Sequence, residues 1–232
     1  MSQPKMVTLF DVDNTLLDHD HVTADLRRHL ARTVGTHRAQ RYWELFEEIR
    51  TELGYADYLG ALQRYRLEHP RDPHLMEVSY YLMSYPFANR LFPGSIDAVQ
   101  HAQQWGQAAI LSDGDVVFQP LKVSRSSLYE VFEGKVLIYV HKETELADVE
   151  ERYPAEHYVV VDDKLRILEA IKKQWRASVT TVFVRQGHYA LDAKATAQFA
   201  AADISLERIG EFPNLTQADI LAAASRAAAQ SS

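Results

Sequence analysis

The chain opens with a strand-like run of apolar residues and then changes to helical periodicity. Residues 6–10 (MVTLF) are rich in β-forming residues and end abruptly at Asp11, which predicts a short buried strand. From about residue 23 to residue 84 the apolar positions recur at helical spacing, for example at Leu26, Leu30 and Val34. This stretch predicts at least four amphipathic helices and no strand.

From residue 90 onward, short apolar runs alternate with helical segments. The runs that predict strands are at 108–111, 135–140, 158–161, 180–184 and 202–204. The segments between them that predict helices are around 116–128, 143–152 and 165–176. Strands that are apolar throughout and separated by helices indicate a parallel sheet covered on both faces. The pattern therefore predicts an α/β fold, with an Ala/Ser-rich tail from Ala222 that we expect to fray.

Composition narrows the classes of function. The chain has 232 residues, 47% of them apolar, which is enough for one substantial core or for one domain with a sizeable insertion. A net charge of -7 argues against nucleic acid or an anionic membrane as a stable partner. The absence of cysteine excludes disulfides, a thiolate zinc site and a cysteine nucleophile. No run resembles a signal peptide or a membrane span, so a soluble, cytoplasmic protein is expected.

Two carboxylates follow the first predicted strand at a spacing of two residues. In an extended segment alternate side chains share one side, so Asp11 and Asp13 can face a common point. Such a pair suits a hard cation and a phosphoryl group. It also suits covalent catalysis, in which one carboxylate attacks phosphorus and the other moves protons. The alternative, which the segment taken alone favours less, is an Asx-rich turn after a strand.

Three further strand ends carry polar residues. Ser112 offers a hydroxyl that can donate to a phosphoryl oxygen, and Lys142 offers a cation. Asp162 and Asp163 follow a buried apolar run, where carboxylates are unfavourable unless a cation or a donor compensates them. Taken alone, Ser112 is more often a helix cap and Lys142 a solvated side chain, whereas the acidic doublet favours a metal site. The ordered set of four strand ends is far more specific than any one of them.

This set resembles the four motifs of the haloacid dehalogenase (HAD) superfamily, spread over residues 7–164. The resemblance implies a Rossmannoid α/β fold, namely a three-layer α/β/α parallel-sheet core with an inserted α-helical cap of the C1 type. Residues 1–18 and 90–232 would form the core domain, and residues 19–89 would form the cap that closes over the substrate. With a second Asp, the first motif is similar to that of the phosphatase and phosphotransferase branch of the superfamily.

The resemblance also implies the roles of individual residues. Asp11 would be the nucleophile, and Asp13 would be the general acid/base. Ser112 and Lys142 would bind the phosphoryl group together with Asp113, which occupies the position after the motif-two hydroxyl. Many relatives have Asn at that position, so this chain departs from the pattern there.

The implied metal site combines Asp11 and Asp13, the latter through its backbone carbonyl, with Asp162 and Asp163. Asp163 would be the direct ligand of the pair, and the cofactor would be Mg²⁺. The implied reaction is hydrolysis of a small phosphorylated metabolite through an aspartyl-phosphate on Asp11. Phosphotransfer, as in mutases, and non-catalytic binding of a phospho-ligand or a protein remain alternatives. Dehalogenation of a 2-haloacid is disfavoured, because that branch resembles the pattern only without the second carboxylate, Asp13.

Some charged residues are not explained by the motifs. The acids Asp113 and Asp115 are unfavourable near a phosphate unless they face away or pair with Lys122 or Arg125. The run 18–21 (DHDH) has the composition of a metal cluster, but its place after the first motif favours a polar flap.

Several arginines on the predicted insertion are interpreted as a solvated helix face. One of them could still contact an anionic substrate. The candidates for that contact are Arg38, Arg41 and Arg50. No oligomeric state is predicted, because an apolar patch and cap packing give the same pattern.

Overall fold

The computed structural model describes residues 5–230. Within them, six strands form one sheet in the order β3-β2-β1-β4-β5-β6, and every pairing is parallel. The strands are β1 (Met6–Phe10), β2 (Gly106–Asp113), β3 (Val136–Tyr139), β4 (His157–Asp162), β5 (Val179–Val184) and β6 (Ile204–Leu206). The predicted parallel α/β sheet is confirmed.

Helices connect the strands and also form an insertion after β1. They are α1 (His19–Thr33), α2 (Thr36–Leu53), α3 (Tyr58–Glu68), α4 (Leu75–Ser84), α5 (Ser95–Gln103), α6 (Phe118–Arg125), α7 (Leu128–Val131), α8 (Leu146–Arg152), α9 (Leu165–Trp175), α10 (Gly187–Leu191), α11 (Ala193–Thr196) and α12 (Gln217–Gln230). Short 3-10 turns lie at Phe87–Arg90, Lys142–Thr144, Arg176–Ser178 and Ile209–Asn214.

Alternate residues of the central strands face opposite sides of the sheet. In β1, Met6 and Phe10 belong to one buried apolar cluster, whereas Val7 and Leu9 belong to another. Residues of α5 and α12 complete the first cluster, and residues of α8 and α9 complete the second. The sheet is therefore covered on both faces, which gives the expected three-layer arrangement.

Helices α1 to α4 form the insertion, and their apolar faces turn inward. Leu26, Tyr42 and Tyr65 are buried at its centre, in agreement with the predicted amphipathic helices. These residues belong to the same apolar cluster as one face of the sheet. The insertion lies within the range 19–89, whose bounds as a separate domain stay a prediction.

Some elements differ from the sequence expectations. The helix predicted around 116–128 is two helices, because Ser127 takes a positive φ of 63° between α6 and α7. The tail from Ala222, which we expect to fray, begins inside helix α12, where Ala223 and Ala224 are buried; Ser231 and Ser232 lie outside the described residues. In the part of the chain that the structure describes, no helix has the length and apolar character needed to cross a bilayer.

Candidate active site at the carboxyl ends of the strands

Four neighbouring strands bring the polar motif residues together. Asp11 directly follows β1, Ser112 lies near the end of β2, Lys142 follows β3 by three residues, and Asp162 ends β4. Because the strands are parallel, their carboxyl ends share one edge of the sheet, where ligands bind in open α/β folds. The residues predicted from the four motifs are thus collected at one place.

Asp11 is buried, and one of its carboxylate oxygens is held by two donors. Lys142 Nζ donates to Asp11 Oδ1 at 2.6 Å, and Ser112 Oγ donates to the same oxygen at 3.2 Å. The second oxygen, Oδ2, has no hydrogen-bond partner among the described residues. The carboxylate is therefore fixed through one oxygen, while the other is free to attack or to bind a cation.

Lys142 is fully buried between two carboxylates. Its Nζ lies 2.6 Å from Asp11 Oδ1 and 2.6 Å from Asp162 Oδ2. Burial alone would lower the pKa of the Lys142 ammonium, but Asp11 and Asp162 raise that pKa above its usual value. Lys142 is consequently charged at neutral pH and offsets part of the negative charge around it.

Three carboxylates converge beside Lys142. One oxygen from each of Asp11, Asp162 and Asp163 lies within 4.8 Å of the others. Both oxygens of Asp163 are buried without a hydrogen-bond partner in the described chain. Burial raises the pKa of Asp163 well above its usual range; Lys164 opposes this effect and Asp162 adds to it. Crowded carboxylate oxygens without donors are the ligand set of a hard divalent cation, so these residues fit a metal ion.

Asp162 and Asp163 are held differently. Asp162 Oδ1 accepts the backbone N–H of Lys164 at 2.8 Å, and its Oδ2 faces Lys142. Asp163 has no comparable contact among residues 5–230. This difference favours Asp163 over Asp162 as a direct metal ligand, and that role, implied by the family resemblance, stays a prediction.

Asp13 is held by helix α6. Lys122 Nζ donates to both carboxylate oxygens of Asp13, at 2.6 and 2.7 Å. The Lys122 side chain is only 1% exposed, whereas that of Asp13 is 25% exposed. Burial acts to raise the pKa of Asp13, but the charges of His19 and Lys122 lower it to about 2. Asp13 is therefore an ionised carboxylate at neutral pH.

His19 lies on the other side of Asp13. Its Nδ1 is 3.5 Å from Asp13 Oδ1, and its Nε2 is 2.8 Å from the hydroxyl of Tyr58. Burial lowers the pKa of His19 to about 4, although Asp13 acts to raise it. Because His19 is neutral at pH 7, Lys122 is the cation that holds Asp13.

The polar run 18–21 forms no metal cluster. Asp18 accepts the backbone N–H of His21 at 3.0 Å and caps α1. Asp20 accepts from the backbone N–H of His188 at 2.8 Å and lies 2.6 Å from its ring Nδ1. Among the described residues, no three side chains of this run bring ligand atoms together as Asp11, Asp162 and Asp163 do. Asp18 and Asp20 therefore anchor the segment that leads from the first motif into the insertion.

The extra acids of the second motif contact backbone donors. Asp113 Oδ1 accepts the backbone N–H of Lys142 at 2.7 Å, and burial raises its pKa against the effect of Lys142. Asp115 Oδ1 accepts the backbone N–H of Phe118 at 2.6 Å at the start of α6. Of the alternatives left open by the sequence, pairing with Lys122 is not the one observed, because Lys122 donates to Asp13. Phosphate binding by Asp113 stays a prediction.

A cleft of about 1030 Å³ lies between the insertion and the edge of the sheet. Asp13, Lys122 and Lys164 line it from the core. The insertion contributes aromatic and basic side chains, including Trp43, Phe46, Tyr58, Arg27 and Arg50. A cleft of this size and mixed character suits a small organic ligand with a polar end.

The arginines of the insertion divide into two groups. Arg38 pairs with Asp72 at 3.0 Å, and Arg41 pairs with Glu68 at 2.8 Å, so both stabilise the insertion itself. Arg50 lines the cleft and donates to Tyr189 of α10. Of the three arginines proposed from the sequence, Arg50 is therefore the one placed to meet a ligand.

Reasoning from the sequence missed the role of α6. Lys122 was considered only as a partner of Asp113 or Asp115, and Gln119 was not considered. Gln119 and Lys122 are three residues apart and so lie on one face of a helix. The available signal was two polar residues at the same helical spacing as the apolar residues Phe118 and Val123, which share the buried face of α6.

Comparisons with known proteins agree with this geometry. The family model for haloacid dehalogenase-like hydrolases matches residues 6–174. A solved haloacid dehalogenase-like hydrolase from Burkholderia xenovorans LB400 has 59% identity and a TM-score of 0.87, over 91% of this chain and 99% of that one. Among the curated proteins there is no match.

Two more distant structures share the fold. A haloacid dehalogenase-like family hydrolase from Xanthomonas campestris has 18% identity and a TM-score of 0.61, over 97% of this chain and 100% of that one. The L-2-haloacid dehalogenase from Xanthobacter autotrophicus has 19% identity and a TM-score of 0.59, over 90% and 97%. With the family model covering residues 6–174 and one solved structure 59% identical, the chain is an enzyme that belongs to the haloacid dehalogenase-like hydrolase family.

Proposed function

We propose that this hydrolase is a Mg²⁺-dependent phosphatase that cleaves a small phosphomonoester through an aspartyl-phosphate on Asp11. One observation carries the proposal: a buried carboxylate with one free oxygen, Asp11, is accompanied by a second ionised carboxylate, Asp13, at the same cleft. A hydrolase that proceeds through a phosphorylated aspartate needs both a nucleophile and a group that moves protons.

In the first step, the free oxygen of Asp11 attacks phosphorus. The new O–P bond forms as the bond between phosphorus and the leaving-group oxygen breaks, and Asp13 in its acid form gives that oxygen a proton. Lys142 and Ser112 hold the other oxygen of Asp11, so the attacking oxygen is oriented. When the substrate binds, the negative charge of its phosphoryl oxygens lies beside Asp13 and favours the protonated form of Asp13. The first step requires that form.

In the second step, water attacks the aspartyl-phosphate. Asp13, now a carboxylate, takes a proton from the water, and the O–P bond to Asp11 breaks to release inorganic phosphate. Lys122 stabilises Asp13 in this basic form. Asp11 is regenerated, and Asp13 again carries the proton that the first step uses, so the two steps balance.

Asp11 and Asp163, with Asp162 beside them, would hold the Mg²⁺ ion, together with the backbone carbonyl of Asp13. The metal would neutralise charge on the phosphoryl oxygens. Lys142 supplies the remaining positive charge from the protein.

Residues 19–89 would act as the cap, and 1–18 with 90–232 as the core. The aromatic and basic side chains of the insertion that line the cleft, such as Trp43 and Arg50, would exclude water and contact the leaving group. The partner is accordingly a small phosphorylated metabolite whose organic part fits this cleft.

The test is phosphate release from a panel of phosphorylated metabolites, with and without Mg²⁺, using Asp11→Asn as the blank. We expect release that requires both Mg²⁺ and Asp11. Activity of Asp11→Asn within about tenfold of the wild type would remove Asp11 as the nucleophile.

A 2-haloacid assayed for halide release is the control for the other reaction of the family. Asp13→Asn should abolish phosphate release, whereas a dehalogenase has no need of the second carboxylate. Halide release that survives Asp13→Asn, from folded protein that releases no phosphate, would overturn the proposal. Turnover that appears only with an added acceptor alcohol would show phosphotransfer instead.

A further inference from the structure

Helix α6 joins the two catalytic carboxylates through a chain of buried side chains. Lys122 Nζ donates to both oxygens of Asp13 and, at 2.7 Å, to Gln119 Oε1. Gln119 Nε2 donates to Ser112 Oγ at 3.0 Å, and Ser112 Oγ donates to Asp11 Oδ1 at 3.2 Å. Hydrogen bonds therefore run without a break from Asp13 to Asp11.

The protons of Lys122 set the direction of the hydrogen bonds in this chain. The Lys122 ammonium has three protons, and the two oxygens of Asp13 and the amide oxygen of Gln119 take them. With its oxygen occupied, Gln119 presents its amide N–H to Ser112. The Ser112 hydroxyl oxygen accepts this N–H. Of the two oxygens to which the hydroxyl proton can be donated, Asp11 Oδ1 is the nearer. All donors of the chain thus point toward the carboxylates.

The burial of these residues is hard to explain by stability alone. Ser112, Gln119 and Lys122 are each at most 3% exposed. Burying an ammonium is unfavourable, and a buried ion pair is often no more stable than apolar residues of the same volume. The partner of Lys122 is not in the core: Asp13 lines the cleft. A buried cation directed at a cleft carboxylate is expected where that carboxylate must be held in one orientation.

We propose that Lys122 and Gln119 are positioning residues, Lys122 fixing Asp13 beside the leaving group and Gln119 coupling it to the Ser112 hydroxyl at Asp11. The inference rests on the proposed function, because it takes Asp13 to be the group that moves protons. Both residues act through Asp13 and Ser112. Their loss should therefore lower kcat and leave KM nearly unchanged.

A rescue experiment separates this role from simple packing, since the chain contains no cysteine. Lys122→Cys carries one thiol, which is alkylated in the unfolded state with 2-bromoethylamine and then refolded. The product restores an ammonium at nearly the length of lysine. Alkylation with iodoacetamide gives a neutral side chain for comparison, and wild-type protein taken through the same treatment measures losses from refolding.

The expected result is a difference in kcat that follows the charge. Lys122→Met and the iodoacetamide product should lose about 100-fold in kcat, the size of a general acid–base contribution, with KM changed by less than about threefold. The aminoethylated protein should recover most of that loss. Equal kcat for the charged and neutral alkylated proteins would overturn the proposal.

The matched control is Lys172→Met. Lys172 is a partly buried lysine of α9 that pairs with Asp203 at 2.8 Å, and it does not line the cleft. The Lys172→Met variant should be less stable than the wild type and should retain its kcat. If Lys122→Met does not fold, Gln119→Met decides the question, because it keeps the cation and breaks the chain at its middle. That variant should lose about tenfold in kcat, and wild-type kcat would refute the coupling.

A failure of this inference is distinguishable from a failure of the proposed function. Wild-type protein that releases no phosphate from any substrate contradicts the function. Wild-type protein that releases phosphate, while Lys122→Met and Gln119→Met match its kcat, contradicts the positioning role alone.

Discussion

Adjacent residues at the end of β4 have different tasks. Asp162 holds Lys142 through one oxygen and the backbone of Lys164 through the other. Asp163 is equally buried, yet neither of its oxygens has a hydrogen-bond partner within the described residues. A carboxylate that the protein leaves uncompensated destabilises the metal-free fold and gains most from a cation. The pair therefore combines one carboxylate that the protein itself holds with one whose chemistry suits a cation.

This difference predicts opposite effects of two alanine substitutions. Asp163→Ala should abolish most of the Mg²⁺-induced rise in Tm and should leave the metal-free protein as stable as the wild type, or more so. Asp162→Ala should lower the stability of the metal-free protein by about 3 kcal/mol, because Lys142 loses a buried partner. Thermal unfolding in EDTA and in Mg²⁺ measures both. A normal Mg²⁺ response in Asp163→Ala would transfer the direct ligand to Asp162.

At this scale the acids of the site could be predicted from the sequence, whereas their partners could not. Asp11 and Asp13 stand out because two carboxylates follow an apolar strand. The partner of Asp13, Lys122, lies 109 positions away, and the position of α6 relative to β1 depends on packing of the whole sheet. The spacing of apolar residues within one strand or helix does not predict a contact between residues so far apart in the sequence.

Among the elements, α10 lies against the loop that follows Asp13. Gly187 has a φ of +72°, and a Cβ there would lie 2.5 Å from the Cβ and Cγ of Asn14. Asn14 in turn accepts the backbone N–H groups of His19 and Asp20 at the start of α1. The close approach of Gly187 therefore sets the position of the loop between the nucleophile and the insertion.

Gly187→Ala tests this contact, with Gly35→Ala as the matched control. Gly35 has a φ of +84°, but a Cβ there would meet no described atom within 4 Å. Gly35→Ala should lose about 1–3 kcal/mol from backbone strain, because a φ of +84° with a ψ of 157° lies in a region that is essentially restricted to glycine. Gly187→Ala should lose about 2 kcal/mol more from overpacking, and its kcat should fall as well. Equal losses by urea unfolding would show that the loop yields without strain.

Within the insertion, Asp72 joins three helices. Its carboxylate accepts from Tyr65 of α3 at 2.6 Å, from Arg38 of α2 at 3.0 Å and from the backbone N–H of His74, which precedes α4, at 2.9 Å. Burial acts to raise the pKa of Asp72, but the hydrogen bonds from Tyr65 and His74 and the charge of Arg38 lower it. Its ionised form therefore stabilises the insertion.

Asp72→Asn should lower the free energy of unfolding by about 1–3 kcal/mol at pH 7. The folded pKa of Asp72 lies below its unfolded value, so this contribution is complete above roughly pH 4 and is lost as the pH falls toward the folded pKa. The difference between wild type and variant in urea unfolding should accordingly shrink with acidification. A difference that stays constant from pH 7 to about pH 3 would contradict the role of the charge.

The elements themselves were largely predictable, because buried strands and amphipathic helices each have a local pattern. The central strands and the helices of the insertion followed from apolar spacing. Helices α10 and α11, of five and four residues, are too short to give a periodicity. The alanine-rich sequence of α12 has no clear apolar periodicity, so it predicts a fraying tail. Burial of residues such as Ile220 and Ala223 against the core orders the helix.

In the whole molecule, the cleft exists because the insertion and the sheet are packed into one body. Phe118 of α6 is buried between them: its ring centroid lies 5.0 Å from that of Tyr58 in α3 and 5.7 Å from that of Phe87. These contacts join residues far apart in the chain and belong to one continuous apolar cluster. Phe118 therefore links the folding of the insertion to that of the core.

Phe118→Ala should separate the unfolding of the two parts, whereas Phe132→Ala should not. Both rings are buried, and both substitutions should lose about 3–5 kcal/mol. Phe132 packs on Phe10 within the core, at 5.8 Å between ring centroids, so its loss weakens the core without touching the junction. Calorimetry should then give equal calorimetric and van't Hoff enthalpies for Phe132→Ala and a ratio above one for Phe118→Ala. A single two-state transition in both variants would mean that other contacts suffice to couple the insertion to the sheet, and that Phe118 serves the cleft rather than the junction.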